Sequence, residues 1–162
     1  MIRNSFLFDI YSDYKLVSTR LKEVLKKYKI RYLHGYPSLI YDFALYCEQE
    51  DPELKEMLSK HLEGAFLGSE FPHKIYRDTI KETFGIHTIS WYRHTERCVL
   101  AYEKNEEYLY EPFLTYGYAE AIPVNGEYQL AGTSYHNFAS PFIRYNTEDV
   151  ISDITEKEGI LQ

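Results

Sequence analysis

The densest cluster of polar and aromatic side chains in the sequence is WYRHTER, residues 91–97. It combines the aromatic ring of Tyr92, the hydroxyl of Thr95, the carboxylate of Glu96 and two arginines. Such groups can bind a nucleotide with Mg²⁺, because a ring stacks on the base, donors contact phosphate oxygens and one carboxylate holds a metal that keeps most of its water ligands. A solvated turn with an Arg–Glu pair is the alternative interpretation.

Two further segments carry polar residues where a ligand could bind. Residues 68–70 follow a predicted buried strand, and ligands of open α/β sheets collect beyond the carboxyl ends of strands. Gly68 would let a ligand approach the backbone, whereas Ser69 or Glu70 could equally cap the following helix. In the segment 144–149, Asp149 could accept from both hydroxyls of a ribose or only from nearby amides.

Several common chemistries lack their sequence patterns. The chain contains no G-x-x-x-x-G-K-[ST], G-x-G-x-x-G, G-x-S-x-G or H-E-x-x-H motif. The six histidines are scattered, and His87 and His94 do not have the spacing of a helical ligand pair, so we expect no zinc site. The sequence itself assigns no catalytic residue.

Helices and strands alternate in the first half of the chain. Ser12 could cap the first helix, Asp51 followed by Pro52 opens a short helix, and Gly85 suits a left-handed helix end. Periodicity predicts helices near residues 12–28, 39–47, 52–60 and 75–84, and strands at 30–34, 65–67 and 86–92. Because such alternation builds βαβ units, we predict an α/β subdomain with a partial parallel sheet over residues 1–97.

From residue 98 onward the pattern is that of strands. Residues 98–103, 107–111 and 113–124 are strand-like, and Asn125-Gly126 predicts a two-residue hairpin turn. We therefore predict an antiparallel β portion over residues 98–162. The predicted fold class is α/β, with a partial parallel βαβ subdomain followed by this antiparallel portion.

Composition restricts the class of protein. A chain of 162 residues is long enough for one domain with a core and too short for a two-domain enzyme. Its 18 basic and 25 acidic residues give a net charge of −7, which does not favour a nucleic-acid partner. No signal peptide or apolar stretch near the ~20 residues of a membrane span is evident. The two cysteines lack ligand or disulfide spacing, so we expect a soluble cytoplasmic protein. The 17 tyrosines suit a ligand surface or aromatic cross-strand pairs.

Five segments, in order, resemble the adenylate-forming superfamily. The closest resemblance is to its branch of phenylacetate–CoA ligase, coenzyme F390 synthetase and capsular polysaccharide biosynthesis proteins, and it covers residues 10–155. The segments are GYPS (35–38), FLGSE (66–70), WYRHTER (91–97), YGYAE (116–120) and GTSYHNFASPFIRYNTED (132–149).

The resemblance implies roles for residues of the polar segments 91–97 and 144–149. The family pattern aromatic-Gly-x-[Ser/Thr]-Glu corresponds to residues 92–96, which implies Tyr92 beside adenine, Thr95 near the α-phosphate and Glu96 on Mg²⁺. The pattern Arg-Tyr-x-Thr-Gly-Asp corresponds to residues 144–149, which implies that Asp149 holds the ribose hydroxyls.

Residues of the first half are implied as well. The residues Gly68, Ser69 and Glu70 match a segment that lines the adenine pocket, and the turn Tyr36, Pro37 and Ser38 matches one near the acyl-substrate pocket. The resemblance implies ATP or AMP, Mg²⁺ and a carboxylate substrate, with CoA as a further candidate. It also implies that the antiparallel portion is barrel-like.

The sequence departs from the family at two glycines. Arg93 and Glu148 replace them, and Arg93 could contact phosphate or fill the pocket. The Ser/Thr/Gly-rich phosphate loop and the lid with its catalytic lysine are not among the 162 residues. We therefore expect an excerpt, a truncated frame or a degenerate relative that is not a competent ligase alone.

The leading hypothesis is the central fragment of a ligase that converts a carboxylate and ATP into an acyl-adenylate and pyrophosphate, and that could continue to a CoA thioester. The alternative is a non-catalytic binding or scaffold module derived from that fold. Uncovered sheet edges and core faces invite pairing, so we also expect a homo-oligomer.

Overall fold

Buried apolar side chains form two clusters, so the expectation of a single core is wrong, because residues 1–88 (unit 1) and residues 89–162 (unit 2) each bury apolar side chains of their own. The predicted domain boundary between residues 97 and 98 stays a prediction. Residues 10, 11, 105 and 153, which the family resemblance also covers, lie outside the described residues. The computed structural model describes residues 5–9, 12–104, 106–152, 154–157 and 160–161.

Unit 1 contains the predicted parallel pair of strands. Strands β1 and β2 run parallel, with Tyr32 opposite Gly64 and Gly35 opposite Leu67, and two helices connect them. The elements are α1 (Tyr14–Leu25), β1 (Tyr32–Gly35), α2 (Pro37–Gln49), α3 (Pro52–Ser59), β2 (Gly64–Leu67) and α4 (Lys74–Phe84). Strand β3 (His87–Arg93) begins in unit 1 and continues in unit 2.

Local caps explain where these helices begin and end. The carboxylate of Asp51 accepts from the backbone N–H of Leu54, the third residue of α3, at 3.1 Å, and Gly85 ends α4 with φ +70°, both as predicted. Helix α1 differs from prediction by one residue, because Asp13 rather than Ser12 accepts at the first turn, at 2.8 Å. None of the helices in the described part of the chain is long and apolar enough to cross a membrane.

The core of unit 1 joins all four helices to β2. Packing of these apolar side chains supplies most of the stabilisation that holds the helices on the parallel pair. Its buried members are Leu21, Ile40, Ala44, Cys47, Leu54, Leu58, Leu62, Ala65, Leu67, Ile80, Phe84 and Ile86.

Unit 2 is antiparallel, as predicted. Strands β3, β4 and β5 pair in that order, with Trp91 opposite Tyr102, and β6, β7 and β8 form a second sheet. The remaining strands of the unit are β4 (Leu100–Glu103), β5 (Tyr110–Pro112), β6 (Gly117–Val124), β7 (Glu127–Ser134), β8 (Tyr145–Ile151), β9 (Glu156–Lys157) and β10 (Ile160–Leu161).

The β6–β7 hairpin has the turn that its sequence predicts. Asn125 and Gly126 have φ of +51° and +89°, which is the left-handed geometry of the favoured two-residue hairpin turn. The predicted start of β6 at Phe113 is wrong, because the N–H of Tyr116 bonds to the carbonyl of Phe113 at 2.9 Å and closes a turn before Gly117.

The core of unit 2 is small and very tightly packed. Its buried members are Cys98, Val99, Ala101, Ala119 and Leu130. Two glycines permit this packing: a Cβ on Gly117 would lie 1.9 Å from the carbonyl oxygen of Cys98, and one on Gly132 would lie 2.7 Å from the Cβ of Cys98. The α/β fold class with a partial parallel unit followed by antiparallel strands is thus confirmed.

Candidate functional site

The expected site residues fall into two groups, one within each unit. Unit 1 holds residues 36–38 and 68–70, and unit 2 holds residues 92–96 and 149. The group in unit 2 lies on β3, on the turn after it and on β8. Two motifs that are far apart in sequence are therefore adjacent in this unit.

The hydroxyl of Tyr92 on β3 donates a hydrogen bond to the carboxylate of Asp149 on β8. Tyr92 is half-buried, and Asp149 is exposed and lies within a strand rather than a loop. Burial of Tyr92, together with its bond to Asp149, raises the pKa of the phenol above its ordinary value. The phenol is therefore a donor at neutral pH, and Asp149 does more than bond nearby amides.

Glu96 is held by two side chains. The hydroxyl of Tyr145 donates to Oε1 at 3.3 Å, and Nδ1 of His94 lies 3.1 Å from Oε2. The pKa of Glu96 is lowered, first by a bond from its own backbone N–H and then by His94, so the group is a carboxylate at neutral pH. These partners replace the Arg–Glu pair of the alternative interpretation.

His94 and Tyr145 contact the carboxylate of Glu96, although the sequence pattern indicated no role for either residue. The two rings stack at an interplanar angle of 21°, with centroids 6.2 Å apart, and the backbone N–H of Val99 donates to Nε2 of His94 at 3.3 Å. Their only signal in the sequence was their position inside the two motifs. Nothing in that pattern indicated that they contact the carboxylate between them.

Among the described residues of this group, Glu96 fits Mg²⁺ as its single protein ligand. Among the residues that the structure describes, no group of three or more His, Cys, Asp or Glu could hold a metal ion. Glu96 is 34% exposed and each of its oxygens has a second lone pair, so it can still accept a cation. Mg²⁺ is commonly bound by one carboxylate, several waters and phosphate oxygens of a substrate.

The two departures from the family pattern differ in backbone geometry. Arg93 is the last residue of β3, opposite Leu100, and its side chain is exposed. Glu148 has φ +65°, a left-handed conformation that favours glycine, and its N–H bonds to the side chain of Asn146 at 3.0 Å. A glycine is thus locally suited to position 148, whereas position 93 accommodates a side chain. Thr95 is exposed in the turn after β3.

In unit 1, Glu70 connects the two implied segments. Its Oε2 accepts from the hydroxyl of Ser38 at 2.7 Å and from the N–H of Ser38 at 3.2 Å, in the first turn of α2. The N–H of Gly68 bonds to the carbonyl of Gly35 at 3.2 Å, and Ser69 has φ +68°. The expectation that Ser69 or Glu70 caps the following helix is wrong, because α4 begins without a side-chain cap and Glu70 caps α2 instead.

Tyr36 and Pro37 mark the start of the same helix. Pro37 is the first residue of α2 and is buried, while Tyr36 precedes it and is exposed. Their place at the end of β1 agrees with a turn that could face a substrate.

No family model and no curated protein matches the chain. The solved structures that match in fold include three states of 2-hydroxyisobutyryl-CoA ligase. The open conformation with 2-HIB-AMP and CoA has a TM-score of 0.66 and 18% identity over 88% of this chain and 33% of that chain. The postadenylation state with R3-HIB-AMP has a TM-score of 0.66 and 18% identity, over 88% of this chain and 32% of that chain.

The third structure, the thioesterification state with 2-HIB-AMP and CoA, has a TM-score of 0.63 and 19% identity, over 88% of this chain and 32% of that chain. The chain therefore spans about one third of the length of the ligase chains that it matches. At this identity the likeness concerns the fold alone. The matched part of the chain thus has the fold of part of 2-hydroxyisobutyryl-CoA ligase.

Proposed function

We propose that unit 2 binds an adenine nucleotide and that the chain corresponds to the central part of an adenylate-forming ligase. The whole reaction would join a carboxylate to ATP, giving an acyl-adenylate and pyrophosphate, and could continue to a CoA thioester. The observation that supports this most directly is the hydrogen bond between Tyr92 and Asp149, residues 57 positions apart in the sequence. It joins the aromatic ring implied for adenine to the carboxylate implied for ribose.

Each residue of the group has a chemical role in this proposal. Tyr92 would lie beside adenine, and the exposed carboxylate of Asp149 would accept from the ribose hydroxyls. Thr95 and Arg93 would donate to phosphate oxygens, because both side chains are exposed at the end of β3. Glu96 would hold Mg²⁺, which when bound offsets negative charge on the phosphates.

The residues of unit 1 remain part of the proposal through the family resemblance. Gly68, Ser69 and Glu70 are the residues of unit 1 that the resemblance implies for adenine, and the turn at residues 36–38 is the one that it implies for the carboxylate substrate. The branch of phenylacetate–CoA ligase, coenzyme F390 synthetase and capsular polysaccharide biosynthesis proteins is the one that we propose.

The test is a titration followed by NMR, with adenosine, AMP, and ATP with Mg²⁺ as ligands. We expect dissociation constants of about 1 mM, near −4 kcal/mol. Asp149→Ala should weaken adenosine and ATP alike by about 1–3 kcal/mol, because a charged acceptor of the ribose is lost. Glu96→Gln should weaken ATP with Mg²⁺ and leave adenosine unchanged.

Two further variants complete the test. Glu127→Gln removes an exposed carboxylate on the hairpin and should leave the binding of every ligand unchanged. Arg93→Gly should weaken ATP and spare adenosine, whereas tighter binding would show that Arg93 fills the pocket. The proposal fails if no ligand shifts the resonances of unit 2, or if Asp149→Ala binds all three ligands as the natural chain does.

A further inference from the structure

The carboxylate of Glu96 is bound at both of its oxygens by neighbouring side chains. Tyr145, from β8, contacts Oε1, and His94, from the turn after β3, contacts Oε2. A glutamate side chain otherwise loses considerable rotamer freedom when it binds a ligand. Two donors that fix the carboxylate beforehand remove part of that cost.

The proton of His94 is placed by the backbone. Because the N–H of Val99 donates to Nε2, this nitrogen is the acceptor, and the neutral ring carries its proton on Nδ1. That proton lies on the nitrogen nearest Oε2 of Glu96. The imidazole is only 15% exposed and stacks against Tyr145, so its orientation is restricted by packing as well.

We propose that His94 is a positioning residue that orients Glu96 toward the divalent cation of a metal–nucleotide complex. The chain Val99 N–H, His94 and Glu96 corresponds to the arrangement in which an outer hydrogen bond orients a metal ligand. This inference rests on the proposed function, since it requires a nucleotide that brings the cation. It adds a residue that the family pattern does not specify, because position 94 is its variable position.

Two conservative variants separate positioning from a purely structural role. In His94→Asn the amide nitrogen can take the place of Nδ1 and still donate to Glu96, while the bond from Val99 is lost. In His94→Gln the longer side chain can reach Val99 through its amide oxygen but no longer offers the donor at Nδ1. If His94 positions Glu96, the Asn variant should retain its function. If His94 acts only through its hydrogen bond with Val99, the Gln variant should retain it instead.

The quantity to measure is the ratio of the dissociation constants of ATP without and with Mg²⁺, for the full 162-residue chain. We expect His94→Gln to reduce this ratio about tenfold, or to unity where the ratio of the natural chain is itself below about ten. His94→Asn should keep the ratio within about twofold of that of the natural chain. His136→Asn is the matched control, because His136 is exposed and contacts only the carbonyl of Thr115 among the bonds that the structure describes, at 3.0 Å. Long-range ¹H–¹⁵N spectra should show His94 protonated at Nδ1.

Each outcome decides between the hypotheses. Equal ratios in both His94 variants and the natural chain, or a ratio kept by Gln and lost by Asn, overturn the positioning role while nucleotide binding stands. A natural chain that binds adenosine but gains nothing from Mg²⁺ also overturns it. A chain that binds neither adenosine nor ATP overturns the proposed function itself, and that failure is recognised without any variant.

Discussion

At residue 148 the side chain and the backbone conformation disagree. Glu148 has φ +65°, although a side chain with a Cβ is disfavoured in the left-handed region. The adjacent Asp149 is the residue implied for ribose. The left-handed backbone at position 148 thus favours the glycine of the pattern that the sequence resembles, and glutamate occupies it at a conformational cost.

We predict that Glu148→Gly stabilises unit 2 by about 0.5–1 kcal/mol, because the relief of the left-handed conformation exceeds the added entropy of the unfolded chain. Urea denaturation followed by the fluorescence of Trp91, the single tryptophan, measures this change. Glu127→Gly is the matched control: Glu127 is exposed on β7 without a positive φ, so the same substitution should destabilise there. Destabilisation by Glu148→Gly would contradict the argument.

At the scale of elements, the close approach of β6 to the segment at Cys98 determines which residues unit 2 can accept. A Cβ on Gly117 would collide with a backbone carbonyl at 1.9 Å, and a backbone atom cannot rotate away as a side chain can. This contact packs a strand of the second sheet against the segment that precedes β4. Position 117 is therefore limited to glycine by space alone.

Gly117→Ala should lower the free energy of unfolding by about 3 kcal/mol, the upper range for overpacking a core. Gly35→Ala is the comparison, because a Cβ there would meet only Ile40, at an ordinary 3.7 Å, and should change stability by less than about 1 kcal/mol. Chemical denaturation followed by far-ultraviolet circular dichroism measures both. Equal effects of the two substitutions would refute the packing argument.

Elements whose signals are local could be predicted from the sequence. Asp51 caps α3, Gly85 ends α4, and Asn125-Gly126 forms the hairpin turn, because each feature depends on residues within one turn of the chain. The polar partners could not be predicted in the same way. Glu70 caps a helix 32 residues earlier, and Glu96 contacts a tyrosine 49 residues later, so both depend on tertiary packing.

On the scale of the whole molecule, both units expose large apolar side chains. In unit 1 these include Leu7 and Ile75, and in unit 2 they include Phe138, Ile143 and Val150. Exposed apolar residues of this size favour association when they lie together on a surface. The homo-oligomer therefore stays a prediction, and these exposed apolar side chains are the structural reason for it.

We predict that light scattering finds a dimer or a larger assembly at high protein concentration. The assembled fraction should rise with concentration, because association through apolar surfaces follows mass action. Phe138→Ser, at a side chain that is 87% exposed, should reduce assembly without unfolding the chain if this surface is used. A monomer at all concentrations would contradict the prediction.

Each unit contains one cysteine, and both thiols are buried in its core. Burial raises the pKa of Cys47 to about 12 and also raises the pKa of Cys98, so neither thiol is an effective nucleophile in the folded chain. An alkylating reagent should therefore modify each cysteine only when its own unit opens. Mass spectrometry of the two labelled peptides would yield one opening rate for each unit from the natural sequence, without an added dye. Rapid labelling in native buffer would contradict this prediction, because it would show that a thiol is accessible in the folded chain.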